Sequence, residues 1–434
     1  MTGVERAGAP GGTGWAARPD ARAVITGIGV VAPSGMGAEA HWKCVLAGER
    51  RIGRITLFDP DRYPSVLAGE VADFDPAHHV DNRRVVQTDR WTHLGFAATR
   101  LALADAGLPE LAGDPYQHAV TLASSSGGNL FGQRELQRLW RGPGRTVGAY
   151  QSIAWFYAAS VGQLSIRHQF KGPCGVLATE AAGGLDSLAH AVRMIRRGTP
   201  VVLAGGTECP LSPYALTCQL RGGLLSSCPE PELAYRPFDV AATGYVPGEG
   251  GAVFVVEDLA HARARGVHTI YAEVAGAAAT HDGRHTERSD GGDTEQYARA
   301  IRLALVRAGV APAEVDVIFP DALGVPSHDL AEARALRAVF GAHPPPVTTQ
   351  KPLIGRAHQG GSALDVATAL LAMRHGVLPP SAGPERPAPG CELDFVRDAG
   401  PRRVAVAVVG ARGFDGFNSA VVLRRAATEA TGGP

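Results

Sequence analysis

Apolar residues follow two rhythms along this chain. The first is a set of short, nearly continuous runs: Ala23–Val30, His118–Ser124, Val201–Gly205 and Ala252–Glu257, then Val315–Phe319, Val404–Val409 and Ser419–Leu423. Runs of this length without polar alternation predict strands covered on both faces. The second rhythm lies between them. Asp293 or Thr294 can N-cap a helix in which Tyr297, Ile301 and Leu305 return at every fourth position, and Gly309 can end it. Strands alternating with helices predict an α/β fold with helices packed on sheets.

Two internal echoes predict a duplication. The stretch from Arg100 through Gly107 to Leu108 resembles that from Arg302 through Gly309 to Val310, and a strand-like run follows each. Later, Gly183-Gly184 opens a helical segment ending at Arg196-Arg197-Gly198, and Gly360-Gly361 opens one ending at Arg374-His375-Gly376. The echoes occur in the same order in both halves.

Composition narrows the function classes. The chain has 434 residues, 45% of them hydrophobic and 19% charged, which suits a soluble globular protein with a large core. Formal net charge is zero, so there is no electrostatic case for a nucleic-acid or acidic-membrane partner. No uninterrupted apolar run reaches the roughly 18–20 residues of a membrane span. The Gly-, Ala- and Pro-rich start, Met1 to Asp20, has no apolar signal-peptide segment and predicts a disordered lead-in. Cys44, Cys174, Cys209, Cys218, Cys228 and Cys391 are scattered, with no CxxC pair or Cys/His cluster. They predict buried free thiols in a reducing cytoplasm, with no disulfide and no metal.

Four motifs make a resemblance specific. Arg236-Pro-Phe-Asp239 followed by Gly244-Tyr-Val-Pro-Gly-Glu-Gly-Gly251 resembles the ketosynthase block RPFDxxxxGxVxGEG. Val202 to Glu208 is similar to the AGG[AT]E strand end, Lys351-Pro-Leu-Ile-Gly355 to K-S-x-T-G, and Gly413 to Asn418 to the loop GFGGxN. These ordered matches span residues 22–425. The resemblance implies a thiolase-like α/β fold in which duplicated βαβαβαββ halves form an αβαβα five-layer structure. It divides the chain into a lead-in (1–21), an N-terminal half (22–258), a C-terminal half (259–425) and a flexible tail (426–434).

The reacting groups of that family are missing from recognisable frames. A ketosynthase needs a Cys at a helix N-terminus, where free N–H groups favour the thiolate, and two His residues for decarboxylation and charge stabilisation. In the stretch resembling T-A-C-x-x-G, Ala181 occupies the Cys position; in that resembling A-H-G-T-x-T-P, Asp321 occupies the first His position; Arg356 follows Gly355 at the second. Losing such groups lowers rates by about 10² to 10⁶ each. The pattern resembles the chain-length factor, or ketosynthase beta subunit, of bacterial type II polyketide synthases. Further similarity lies in Phe131–Gln137, Val147–Tyr157 and Gly162–His168. Many chain-length factors carry Gln at the Cys position, a residue associated with decarboxylation. Ala181 cannot make its hydrogen bonds, so no decarboxylase role is expected.

The resemblance implies a non-catalytic subunit that pairs with a Cys-bearing ketosynthase, works with an acyl carrier protein through that complex, and shapes the tunnel for a growing poly-β-ketone or polyene chain. No cofactor is implied. An acyltransferase with a different nucleophile, or a homodimeric acyl-chain-binding protein, remains the alternative. Asn129, Gly132 and Leu136 match the family's chain-length gate, and their spacing places them on one helical face between Gly128 and Trp140. Gly132 reads either as tunnel clearance or as a site of close helix packing. The modest bulk of the three predicts products nearer about ten acetate units than eight.

Other candidates have plain readings. Cys174 lies at a strand entrance without a helix terminus. His168, His190 and His358 read as packed or hydrogen-bonded side chains, and His281-Asp-Gly-Arg-His285 as an exposed loop without a third ligand. The Gly-rich stretches lack phosphate-loop spacing. Asp321 and Arg356 are expected to form a charge-assisted pair that closes the vacated site, with Glu180 a second partner for Arg356.

Overall fold

The computed structural model describes residues 17–108, 113–144, 146–283 and 291–426. Residues 1–16 of the expected lead-in, 427–434 of the expected tail, and Arg284 and His285 lie outside the described residues. Arg18 is tied to the fold by its N–H to the Arg196 carbonyl at 2.7 Å and by an ion pair with Asp258.

Five principal strands build the sheet of the first half: β1 (Ala23–Ala32), β2 (His118–Ala123), β3 (Cys174–Leu177), β4 (Val201–Glu208) and β5 (Gly250–Asp258). They run in the order β3-β2-β4-β5-β1. The second half has β6 (Ala272–His281), β7 (Val317–Phe319), β8 (Val406–Gly413) and β9 (Phe417–Arg424), in the order β7-β8-β9-β6. Numbered within each half, the first order is 3-2-4-5-1 and the second 2-4-5-1. The missing third place is held by Val347, which bridges to Ile318 in parallel. The same topology twice is the duplication that the echoes predict. β1 and β6 join the halves where Val24 faces Glu273 and Ile25 faces Ala272, antiparallel.

Eight helices matter to the site: α1 (Arg90–Asp105), α2 (Asn129–Arg141), α3 (Gln151–Ala154), α4 (Gly183–Arg196), α5 (Pro213–Gly222), α6 (Thr294–Ala308), α7 (Pro326–Phe340) and α8 (Gln359–His375). α1 covers β1 and β5, and α6 covers the equivalent β6 and β9. The first echo therefore marks equivalent helices, ended by Gly107 (φ 68°) and Gly309 (φ 62°). Strand and helix approach so closely that side chains are excluded. A Cβ on Gly29 would lie 1.8 Å from the Ala98 carbonyl oxygen, and one on Gly276 2.1 Å from that of Ala304.

The second echo marks the central layer. α4 and α8 pack on each other and on strands of both halves, giving helix, sheet, helix pair, sheet, helix. α8 is buried on every side from Gln359 to Met373 and mostly apolar, as suits a helix between two sheets. Removing one of its large side chains, as in Leu370→Ala, costs about 2–5 kcal/mol. Strand β6 is absent from the predicted runs because its Ala-Gly-Ala-Ala-Ala sequence has little β propensity.

Candidate functional site

Both central helices begin at the junction of the halves, and the vacated site lies there. A 3₁₀ turn, Glu180–Ala182, leads directly into α4, so Ala181 stands, buried, at the helix start where a nucleophile would gain from the dipole. Its methyl group offers no reactive atom. Asp321 follows β7, and Arg356 lies between Gly355 and the start of α8.

The expected ion pair forms. Arg356 Nη2 donates to Asp321 Oδ1 at 3.0 Å and to the Arg412 carbonyl at 3.0 Å, while Nη1 reaches the Asp321 carbonyl at 3.3 Å. Both side chains are buried. Burial opposes the charge on Arg356, yet Asp321 and Glu180 raise its pKa well above the ordinary arginine value. Glu332 accepts the N–H groups of Asp321 and Ala322, each at 2.8 Å, and fixes Ala322 at φ 51°. Lys351 donates to the Pro320 carbonyl at 3.1 Å and pairs with Asp365, so the charges around the frame are matched within the chain.

Two expectations need correction. The pair does not close the site: a cavity of about 910 Å³ remains, lined by Asp321, Arg356, Glu180, His358, Tyr245 and Phe414 among others. Glu180 does not bond Arg356. It bonds His358 Nδ1 and accepts the Phe414 N–H at 2.8 Å. Burial disfavours its charge, but His358 and Arg356 hold its pKa down to about 2.

His358 is committed at both ring nitrogens. Its Nε2 meets Gln219 Oε1 at 3.1 Å, and Gln219 is oriented because its Nε2 donates to the Pro210 carbonyl at 2.8 Å. Both ring nitrogens are thus engaged, which fits the hydrogen-bonded reading. His190 Nδ1 meets Thr121 Oγ1 at 2.9 Å, and His168 packs against Phe170. His281 is exposed and accepts the Gly283 N–H at 3.0 Å. Among the described residues no group of three His, Cys, Asp or Glu is placed to hold a metal ion.

The thiols also differ from expectation. Cys44, Cys209 and Cys391 are buried, but Cys174 and Cys218 are exposed and Cys228 is partly so. Cys174 opens β3, the last strand of the sheet among the described residues. Cys218 lines the cavity from the middle of α5, away from any helix N-terminus.

The expected gate residues lie elsewhere. α2 spans Asn129–Arg141 and carries all three. Two buried carboxylates fix its start. Asp89 Oδ2 accepts the Phe131 N–H at 2.6 Å, and Glu208 accepts the Ser126 N–H at 3.0 Å and the Ser124 hydroxyl at 2.7 Å. Burial raises Asp89 to about 6 and Glu208 to about 7. Asn129 donates to Ser126 Oγ; Gly132 is buried against Trp155; Leu136 is 46% exposed. Around them Trp140, Trp155, Phe156 and Tyr157 are also exposed. Trp155 lies within Val147–Tyr157 and carries no signal of its own in the sequence; Gly127, Gly128 and Gly132 together mark the place where it packs.

Residues 20–262 match the family described as beta-ketoacyl synthase, N-terminal domain, and residues 271–385 match beta-ketoacyl synthase, C-terminal domain. A putative polyketide beta-ketoacyl synthase 2 of Streptomyces coelicolor is 51% identical over 438 residues, covering 100% of both chains. The tetracenomycin polyketide synthase ketoacyl synthase beta subunit of Streptomyces glaucescens is 51% identical, covering 93% of this chain and 98% of its own. Among solved structures, the ishigamide ketosynthase/chain length factor aligns with a TM-score of 0.86 and 28% identity, over 94% of this chain and 100% of its own.

Proposed function

The chain belongs to the beta-ketoacyl synthase family, with polyketide ketosynthase beta subunits as relatives, and from that premise we propose that it is a non-catalytic, chain-length-determining subunit. It pairs with a Cys-bearing ketosynthase, which receives acyl groups from an acyl carrier protein, and it contributes one wall of the tunnel for the growing polyketide. The observation that carries this reading is the buried junction of the halves. Ala181 stands at the helix start, and the positions of both expected imidazoles hold an acid and an arginine bonded to each other at 3.0 Å.

The partner surface follows from what the chain leaves unfinished. Among the described residues the outer edge of β3 exposes unpaired backbone groups, and an aromatic face lies beside α2. An obligate interface on the order of 2,000–5,000 Å² would cover both. Ala181→Cys tests the loss of chemistry. The purified variant, free of ketosynthase, is expected to elongate no malonyl thioester, because Asp321 and Arg356 cannot do the work of two imidazoles. Substantial polyketide from it would overturn the reading.

A further inference from the structure

We infer that Trp155 is the specificity-determining wall at the middle of the gate, and that Gly132 serves as its seat. The inference rests on the chain-length reading above. An ideal Cβ on Gly132 would lie 2.7 Å from Trp155 Cδ1, 3.4 Å from Nε1 and 3.5 Å from Cγ. The indole therefore fills the space that a side chain at 132 would occupy. The glycine is an accommodation for the ring, and the clearance it provides is already taken.

The backbone on both sides locks this arrangement. Trp155 follows α3, and its carbonyl accepts the Gly128 N–H at 3.1 Å. A Cβ on Gly127 would lie 2.5 Å from that same carbonyl oxygen, and one on Gly128 only 1.9 Å from the Ala154 carbonyl oxygen. Three glycines thus bring the turn carrying Trp155 against the start of α2. Asp89 fixes the first turn of α2 by accepting the Phe131 N–H, so the ring and its seat are held in register. Half of the ring remains outward, at 52% exposure, on the same face as Leu136. Position 132 has no side chain to meet a substrate, so the bulk at this level of the face is the indole.

The account makes positions 132 and 155 one volume that two residues share, and neighbours sharing a volume are non-additive. The test uses the complex of the full chain with its ketosynthase and reads the distribution of product lengths. Trp155→Ala is expected to move products at least one two-carbon unit longer, with Trp155→Phe in between. Gly132→Leu with Trp155→Ala is expected to return the distribution toward the parent, because the leucine refills the vacated volume. A parent distribution from Trp155→Ala at normal complex yield would overturn the inference. So would simple additivity in the double variant. Leu136→Phe, which leaves the Trp155 seat untouched, separates the two levels of the argument. If it shortens products while Trp155→Ala changes nothing, only the Trp155 assignment fails; if neither changes length, the chain-length reading itself fails. Should Trp155→Ala lower the yield of complex, Trp155→Phe and Trp155→Leu carry the same test with less loss of packing.

Discussion

The vacated pocket and the face beside α2 differ in where their groups find partners. In and behind the pocket three charged groups find partners within the chain: Asp321 in Arg356, Glu180 in His358, Lys351 in Asp365. Beside α2 the anchors are internal, at Asp89 and Glu208, but Trp140, Trp155, Phe156 and Tyr157 stay exposed. Trp140 is 79% exposed, and β3 ends the sheet among the described residues. The first region holds its charges in internal pairs. The second is intact and unfinished. A subunit that supplies shape to another subunit's chemistry needs this division.

The largest effect should come from breaking the unfinished region. Trp140→Glu with Phe156→Glu is expected to abolish co-elution with the ketosynthase and with it all product, since burying unpaired charge on a desolvated face is strongly disfavoured. The fold should survive, because both side chains are exposed; circular dichroism of the recovered chain checks that. Stable complex from this variant would place the interface elsewhere.

Breaking the internally paired region should affect stability and leave product length alone. Arg356→Met strands the buried Asp321 carboxylate and is expected to cost about 3–5 kcal/mol in denaturant unfolding of the complex. Asp321→Leu together with Arg356→Met removes both charges and should recover most of that loss. If the double variant is as unstable as the single, the pair is not the organising contact.

The two regions should also respond to pH with opposite sign. Glu180 sits at about 2 in the fold against an ordinary 4.5. Its contribution is complete above the unfolded value and is lost as pH falls from about 4.5 toward 2, a loss of roughly 3 kcal/mol at most. Glu208 sits at about 7, raised by burial. The fold keeps its proton longer than the unfolded chain does, so stability declines as pH rises from about 4.5 through 7. Glu180→Gln should flatten the acid limb and Glu208→Gln the neutral limb, each measured by unfolding across pH. Exchange of these assignments would contradict the account.

The smallest effect distinguishes the regions by their thiols. In the complex, Cys218 in the pocket should react with a maleimide while Cys174 on the edge of β3 is protected. Cys174→Ser should change stability by less than about 0.5 kcal/mol. Labelling of Cys174 at the rate of Cys218 would argue that β3 stays uncovered.

Much of this was legible in the sequence because it lies in local patterns. Seven apolar runs became strands, Asp293 caps α6 as expected, and Ala181, Asp321 and Arg356 were visible as substitutions inside intact motifs. What escaped was non-local. β6 is written in alanines that only helix packing turns into a strand. Glu180 and His358 meet across the two halves, each at a positive φ (49° and 46°) that no propensity predicts. Cys174 is exposed because its strand ends a sheet, a fact of topology. Gly132 was open to two readings until Trp155 was seen lying on it.

Chemistry is expected to belong to the partner and shape to this chain. Intact-mass analysis of both subunits, taken from the complex during turnover with malonyl-loaded carrier protein, tests it directly. The ketosynthase should carry acyl adducts on its cysteine, and this chain should keep its unmodified mass. An acyl thioester on this chain, at Cys218 or any other thiol, would contradict the account.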